Sequence, residues 1–485
     1  MNPSSHHEII DKSYSVEFQS LPKLPTLIGG LDDVLHGGLP KGRLTIVNGG
    51  PGAGKTVLGL ELLVRGAETG QSAVFISFEE SSEAMRRNAL AMGWNLTKIE
   101  EEGKLALVNP EIDYETIASG EFHIEGLCAI LTGQANRLGA GLIVIDAVDM
   151  LLRLFDDPKK ARNQLIFLHR WLSDQRMTVV MTVKDGNEKR KFDYLDFMAD
   201  CVIQIDQRVH EQVTTRRLRV KKYRGSDFAS REHPFVISKQ GIVVMPLTFV
   251  DLVEQSTGSM VSAGDANLDE VLGGGYRKSS SILISGPSGS GKTTLAFSIA
   301  AAAAGRGERV LYLSFEQSKQ ALTSEMLSVG LDLSTFVDDN TLRITAMLPE
   351  AMGMEEHLYR IIQEVEEYQP VHMIVDAISA TRRIGSPQAA MEFLIRLYHA
   401  AKKRGITCIY TNQIFSSMKN ELEISGLGIS SLVDSAILLN YFREKNRVGR
   451  SLLVLKSRGS RHSDKYHEFR ITDNGIVILD PQTGN

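Results

Sequence analysis

Short apolar runs rich in valine and isoleucine recur along the chain, with longer stretches of helical periodicity between them. Residues 74–77, 142–145 and 282–285 have the length and composition of buried strands, whereas 60–64 and 296–304 have the pattern of helices. Strands that alternate with helices predict a mostly parallel sheet flanked by helices. The predicted fold class is therefore α/β.

The second half of the chain repeats the first. The motif GxxxxGK[ST] occurs twice, and 237 residues separate its lysines, Lys55 and Lys292. Self-similarity of this length indicates a duplicated unit. The predicted organisation is a flexible N-terminal tail at 1–24, a first domain at 25–250 and a second at 251–485, with a polar join near 248–262.

Each glycine-rich motif lies between a predicted strand and a predicted helix, which is the context of a phosphate-binding P-loop. Its backbone N–H groups and the start of the helix are expected to hold the phosphates of ATP, with the lysine on the β- and γ-phosphates. The predicted nucleotide-binding residues of the two loops are Gly50, Gly52, Ala53, Gly54, Lys55, Thr56 and Val57, and Gly289, Ser290, Gly291, Lys292, Thr293 and Thr294.

A magnesium ion is expected beside each P-loop. Apolar strands end at Asp146 and Asp376, at similar distances from the two motifs, and such carboxylates hold the Mg²⁺ shell beside the P-loop hydroxyl. The predicted metal-site residues are Thr56, Thr293, Asp146, Asp376 and Glu316.

Hydrolysis also needs a carboxylate that orients or deprotonates the attacking group. Glu79 and Glu80 follow the strand after the first P-loop helix, and Glu316 with Gln317 occupies the same place in the second half. Glu79, Glu80 and Glu316 are the catalytic candidates. The alternative is that these glutamates only end a strand.

Residues 216–224 are the most basic stretch of the first half, with the alternation of a strand. Three interpretations remain open: a solvated edge strand, a nucleic-acid surface, or fingers that reach the ATP of a neighbouring subunit. The last would add to the nucleotide-binding residues Lys222, Tyr223 and Arg224, and, at the equivalent positions of the second half, Lys456, Ser457 and Arg458.

Composition argues, with different strength, against several other classes of protein. The net charge is −5, which argues against a dedicated DNA-binding protein. Cys128, Cys201 and Cys408 lie far apart without metal-ligand spacing, so we expect buried, reduced thiols. The sequence has no signal-peptide pattern and no apolar run that could span a membrane, so a cytoplasmic location is expected.

Together, the doubled P-loops and the segments 77–80, 314–316, 222–225 and 456–459 resemble the KaiC family, tandem-domain relatives of RecA and DnaB. The resemblance covers about residues 25–480. It implies two RecA-like domains in a two-tiered homohexamer with ATP between subunits, a slow ATPase in the first tier and an autokinase in the second, and partners such as KaiB-like or other signalling proteins.

The resemblance also implies phosphorylation sites. Ser430 and Ser431 precede an apolar strand at the place of the family's Ser-Thr phosphosite pair, and Ser425 resembles an auxiliary hydroxyl nearby. Glu316 would then activate a serine of the neighbouring subunit. By themselves, two serines before a strand are a common loop feature. Gln317 departs from the paired glutamates of the clock protein.

Two other functions remain open at this point. A RecA- or DnaB-like DNA-dependent ATPase without autokinase activity would share the P-loops, and single-stranded DNA would stimulate it. A scaffold that uses ATP only to hold a ring together would not need the intact Lys, Thr, Asp and Glu at both sites.

Overall fold

The computed structural model describes residues 21–110, 124–152, 155, 158–185, 195–210, 213–246, 258–414, 429–444, 446–473 and 475–479. The predicted tail up to residue 20, most of the predicted join and Ser425 lie outside these ranges. The chain forms two compact units: residues 1–207 and 216–247 make up the first, and residues 208–215 and 248–485 the second.

The first unit contains a nine-stranded sheet and a two-stranded one. Its strands are β1 Lys23–Leu24, β2 Leu39–Pro40, β3 Leu44–Gly49, β4 Ala73–Ser77, β5 Leu105–Val108, β6 Leu142–Asp146, β7 Thr178–Lys184, β8 Cys201–His210, β9 Val213–Tyr223, β10 His233–Ser238 and β11 Gly241–Val244. The large sheet has the order β11-β10-β9-β8-β3-β7-β6-β4-β5. Strands β3 to β8 are parallel, whereas β10 pairs antiparallel with β9 and β11.

The second unit repeats this topology. Its strands are β12 Met260–Val261, β13 Tyr276–Arg277, β14 Ser281–Gly286, β15 Val310–Ser314, β16 Leu342–Ala346, β17 His372–Asp376, β18 Thr407–Gln413, β19 Ser435–Glu444, β20 Arg447–Ser457, β21 His467–Thr472 and β22 Gly475–Ile478. The large sheet runs β16-β15-β17-β18-β14-β19-β20-β21-β22. Strands β14 to β19 are parallel and β19 to β22 antiparallel.

Helices connect the parallel strands. In the first unit they are Leu31–Val34, Lys55–Glu68, Ser82–Ala91, Leu96–Glu101, Ile124–Leu138, Val148–Leu152 and Pro158–Asp174. In the second they are Ala266–Val271, Lys292–Gly305, Lys319–Ser328, Ser334–Asp338, Met354–Tyr368 and Pro387–Lys403, with 3-10 turns at Pro349–Ala351, Ile378–Arg383 and Ile429–Ser431. Lys55–Glu68 and Lys292–Gly305 are the two P-loop helices.

The central parallel strands of each large sheet are buried on both faces, as the apolar runs predict. Along β6, Leu142 and Val144 pack toward the P-loop helix, whereas Ile143 and Ile145 pack into a second core with the opposite helices. Successive strand residues point to opposite faces, so a run without polar positions requires cover on both sides. The fold is therefore α/β, with two tandem RecA-like units and mostly parallel sheets.

Candidate nucleotide sites

The backbone of each P-loop depends on glycine. Gly52 and Gly54 have φ of 72° and 104°, and Gly289 and Gly291 have φ of 74° and 101°. These values lie in the left-handed region that side chains disfavour. A Cβ on Gly54 would also lie 2.7 Å from Ile237 Cδ1. Glycine is therefore strongly favoured at these positions, and the loop leads directly into the positive end of the P-loop helix.

The P-loop lysines point into their own loops. Lys55 Nζ donates hydrogen bonds to the carbonyl oxygens of Gly49 at 2.8 Å and Gly50 at 3.1 Å. Lys292 Nζ donates to the carbonyl oxygen of Pro287 at 2.9 Å. Burial is the main cause that lowers the pKa of each lysine, and the neighbouring aspartate opposes that shift. Each ammonium group is thus held where a phosphate chain would enter the loop.

A threonine and an aspartate, two of the residue types predicted to hold magnesium, form a hydrogen bond in both sites. Thr56 Oγ1 donates to Asp146 Oδ2 at 2.8 Å, and Thr293 Oγ1 donates to Asp376 Oδ2 at 3.0 Å. A hydroxyl and a carboxylate that converge beside a P-loop are the oxygen donors that Mg²⁺ prefers. The donor set therefore fits a magnesium–nucleotide complex.

Further groups orient these aspartates, and the motif search missed them. Thr182 and Thr411 donate to Oδ1 of Asp146 and Asp376 from the adjacent strand. In the second site, Tyr312 also donates to Asp376 Oδ2 at 2.5 Å. A threonine at both positions is visible once β7 and β18 are aligned. The strand neighbours, however, are known only from the fold.

Glu79 and Glu316 lie within the electrostatic field of their sites. The pKa of Glu79 is raised, first by burial and then by Asp146 and Asp149. The pKa of Glu316 is raised by burial and by Asp376. In each site the P-loop lysine opposes the shift. A carboxylate with a raised pKa accepts a proton more readily, as a general base must.

The second residue of the first glutamate pair has a different contact. Glu80 Oε2 accepts a hydrogen bond from Asn88 Nδ2 at 3.1 Å, on the helix Ser82–Ala91. Gln317 Nε2 donates to Glu325 Oε1 at 2.8 Å, on the helix Lys319–Ser328. Both side chains therefore contact the helix that follows their loop.

The basic strand β9 ends in two cations that bind backbone carbonyls. Lys222 Nζ donates to the carbonyl oxygens of Asp196 and Phe197 at 2.7 and 3.1 Å, and Arg224 donates to that of Phe197 at 2.8 Å. Between them, Tyr223 is buried and donates to the carbonyl oxygen of Gly38 at 2.9 Å. These contacts fix the end of β9 against the residues that precede β8.

The second unit repeats this arrangement around the serine pair. Lys456 Nζ donates to the carbonyl oxygens of Ser430 at 3.1 Å and Val433 at 2.5 Å, and Arg458 donates to that of Ser431 at 2.8 Å. Ser430 is half-buried and Ser431 exposed, within a 3-10 turn. The hydroxyl of Ser457 lies 2.5 Å from that of Ser460.

Other chemistry is limited in the part of the chain that the structure describes. No described helix has both the length and the apolar character needed to cross a membrane. Outside the undescribed gaps, no cluster of three or more His, Cys, Asp or Glu side chains could hold a metal ion. Cys128, Cys201 and Cys408 are free and buried, and burial raises the pKa of Cys128 to about 11.

Both halves match one family of ATPases. The KaiC ATPase profile matches residues 24–248 and again residues 261–483. The chain belongs to the KaiC family. Its two units are therefore KaiC-type ATPase domains, and ATP is the nucleotide that such domains bind.

Curated relatives match over almost the whole chain. It is 36% identical to the circadian clock protein KaiC2 of Synechocystis over 469 residues, which cover 96% of this chain and 83% of the relative. It is 31% identical to KaiC3 of the same organism, over 96% of this chain and 93% of the relative. It is 32% identical to the circadian clock oscillator protein KaiC of Synechococcus elongatus, over 98% and 92%.

Proposed function

We propose that this KaiC-family protein is an ATP-hydrolysing signalling switch. The first domain hydrolyses ATP, and the second transfers the γ-phosphate of ATP to Ser430 or Ser431 and, as an autophosphatase, hydrolyses the resulting phosphoserine. The working form is a homohexamer with nucleotide at subunit interfaces, and a KaiB-like or other signalling protein reads its state. The name of the Synechococcus relative, a clock oscillator, supports a signalling role.

The observation that carries this proposal is the position of the serine pair on the sheet. Strands β14 and β19 are parallel, and Asp434, just before β19, donates its N–H to the carbonyl oxygen of Ser281, the first residue of β14. The P-loop follows the opposite end of β14. The five residue steps of β14 span about 17 Å. The serines therefore lie toward the end of the sheet opposite the P-loop of their own domain, which supports transfer between subunits.

The cationic strand ends support the same arrangement. Lys456 and Arg458 lie beside the serine pair, and Lys222 and Arg224 occupy the same end of the first sheet. A surface that contacts the P-loop end of a neighbour makes a heterologous contact, which closes into a ring when the rotation permits. Each site would then obtain its cations from the adjacent subunit.

The residues of the second site have distinct roles in this reaction. Glu316 accepts the serine proton while Oγ forms a bond to the γ-phosphorus, the bond to the β-phosphate oxygen breaks, and ADP leaves. Lys292 stabilises the charge that develops on the phosphate oxygens. Thr293 and Asp376 would hold a Mg²⁺ ion, which would neutralise part of the charge on the phosphate groups. In the first domain Glu79 acts in the same way on water.

Labelling tests this function directly. The protein is incubated with γ-labelled ATP and Mg²⁺, and peptides across 425–435 are analysed by mass spectrometry. Phosphate on Ser430 or Ser431, absent from a Lys292→Ala control, is expected. ATP hydrolysis without phosphate at either serine would refute the autokinase.

Mixing two variants tests transfer between subunits. A Lys292→Ala chain keeps both serines, and a Ser430→Ala/Ser431→Ala chain keeps the active second site. Mixed hexamers should carry phosphate on the Lys292→Ala chain, because its serines lie at the neighbour's nucleotide. If that chain stays unlabelled in verified mixed rings, transfer does not occur between subunits.

A further inference from the structure

The loops that carry Glu79 and Glu316 are fixed by the same backbone contacts. Ser77 Oγ accepts the N–H of Glu80 at 3.0 Å, and Ser314 Oγ accepts the N–H of Gln317 at 3.0 Å. The next helix begins immediately after each loop, with a serine as its N-cap. The two loops therefore have the same backbone contacts. They differ in the side chains that connect them to the following helix.

In both domains a side-chain hydrogen bond joins the loop to the following helix, but the donor and the acceptor have changed places. Position 80 carries a carboxylate that accepts from the Asn88 amide, whereas position 317 carries an amide that donates to the Glu325 carboxylate. The same 237-residue spacing that relates the P-loops relates 80 to 317 and 88 to 325. Each pair thus contains one amide and one carboxylate, and each makes one N–H···O bond across the same gap.

We infer that Glu80 and Gln317 are positioning residues that brace the catalytic loop to the following helix. If the carboxylate of Glu80 served as a base, its replacement by an amide would remove a base from the second domain. The exchange of the partner residue instead preserves the contact. The two domains then each use one base, Glu79 or Glu316, and the different numbers of carboxylates have no direct catalytic meaning.

The electrostatics of the neighbouring glutamates agree with this division of roles. Glu79 interacts with Lys55, Asp146 and Asp149, and Glu316 with Lys292 and Asp376. The first residue of each pair therefore lies within the influence of the charges of the nucleotide site, and the second contacts the helix. A hydrogen bond between the loop and the helix limits the motion of the loop, and base catalysis depends on such positioning.

Gln317→Glu distinguishes the two interpretations because they predict opposite signs. In the positioning role, the introduced carboxylate would face Glu325, and like charges would loosen the loop. We expect kcat for serine phosphorylation to fall about fivefold, the effect of losing one hydrogen bond, with little change in KM for ATP. A second catalytic carboxylate would instead leave kcat unchanged or raise it.

Rescue is the decisive control. Gln317→Glu/Glu325→Asn rebuilds the first-domain pair in the second domain and should restore kcat. In the first domain, Asn88→Glu should lower ATP turnover by a similar factor, and Glu80→Gln added to it should restore turnover by rebuilding the second-domain pair. Turnover of the first site is measured in the full chain with Lys292→Ala, and thermal unfolding excludes global misfolding.

The inference rests on the proposed phosphoryl transfer, and the two can fail separately. If Glu316→Gln and Glu79→Gln leave phosphorylation and ATP turnover unchanged, the proposed function is wrong. If those variants are inactive but Glu80→Gln deepens the defect of Asn88→Glu, Glu80 is catalytic and the positioning role is overturned. A Gln317→Glu chain that is faster regardless of position 325 overturns it as well.

Discussion

The residues before β8 and before β19 share one backbone frame but carry different side chains. In both domains a lysine near the end of β9 or β20 and an arginine just beyond that strand donate to the carbonyl oxygens of two adjacent residues. In the first domain those residues are Asp196 and Phe197, and in the second they are Ser430 and Ser431. Because the lysine and the arginine bind backbone carbonyl oxygens, this arrangement does not depend on the side chains of the two residues.

The side chains decide what each frame can do. Asp196 accepts hydrogen bonds from Asn48 at 2.9 Å and Lys221 at 3.3 Å, so its carboxylate is tied to the first sheet. Phe197 is 74% exposed and has no nucleophile. The serine pair provides two hydroxyls on an equivalent turn. The hydroxyl groups that the proposed serine phosphorylation requires are therefore present at this position only in the second domain.

Substitution of the P-loop lysines should give the largest difference in activity between the two domains. Lys292→Ala should abolish serine phosphorylation, whereas Lys55→Ala should lower ATP hydrolysis and weaken assembly, because the first site lies at the proposed interface. Loss of a cationic contact to the transferred phosphate costs on the order of 100-fold or more in rate. Phosphate incorporation, ATP turnover and sedimentation give the three readouts. Full turnover and normal rings in Lys55→Ala would contradict the interface model.

The catalytic glutamates should give the next largest effect. Glu316→Gln keeps the shape of the side chain and removes the base, so phosphate incorporation should stop while ATP hydrolysis in the first domain continues. Glu79→Gln is the matched control: ATP hydrolysis in the first domain should stop while phosphate incorporation continues. Because the pKa of Glu316 is raised, phosphorylation should decline as the pH falls through that pKa. A pH profile unchanged in acid would argue against Glu316 as the base.

The two serines should differ in a smaller way. Ser431 is exposed and Ser430 half-buried, so Ser431 should take up phosphate first from a neighbouring subunit. Ser431→Ala should slow the initial incorporation by about tenfold, and Ser430→Ala by less, if positioning of the nucleophile controls the rate. Ser435→Ala is a control beyond the turn, because Ser435 pairs with Ser457 inside the sheet. Equal initial rates of phosphate incorporation in the two variants would contradict the prediction that Ser431 is phosphorylated first.

Local sequence patterns predict those features that depend on residues close together in the chain. The P-loops, the strands that end at Asp146 and Asp376 and the α/β fold follow from glycine spacing and apolar runs. The contacts of Thr182 and Thr411 with those aspartates do not, because they require the order of strands in the sheet. The bond from Lys456 to Ser430 spans 26 residues and depends on strand register in the same way.

The contact between Glu80 and Asn88 was hidden for another reason. The two residues are eight positions apart, across a loop and the start of a helix, and no helical or strand periodicity relates them. Motif reasoning assigns Glu80 by its neighbour Glu79. The path of the backbone is needed to show that the two carboxylates have different contacts.

The smallest expected difference lies behind the P-loop helices and concerns stability. Glu61 is buried in the first domain, where Oε2 accepts the N–H of Ile242 at 2.6 Å and Arg65 lies 3.5 Å from Oε1. The equivalent residues of the second domain are Ser298 and Ala302, which line a cavity of about 270 Å³. The first domain therefore has a buried carboxylate at a position where the second domain has a serine beside a cavity.

Burial raises the pKa of Glu61 above its ordinary value of 4.5, and Arg65 and Ile242 offset only part of that shift. The folded domain then binds this proton more tightly than the unfolded chain does. The stability contributed by proton binding is full below about pH 4.5 and is lost as the pH rises through the folded pKa. Glu61→Gln keeps an acceptor for Ile242 and removes the titration. The unfolding free energy of the wild type, minus that of Glu61→Gln, should therefore fall between about pH 4.5 and neutrality.

Urea unfolding followed by tryptophan fluorescence isolates this domain, because Trp94 and Trp171 both belong to it. Ser298→Ala, in the other domain, should leave the same curve unchanged. A wild-type curve parallel to that of Glu61→Gln would mean that Glu61 does not titrate over this range, and the buried carboxylate would then distinguish the two domains only by the space it fills.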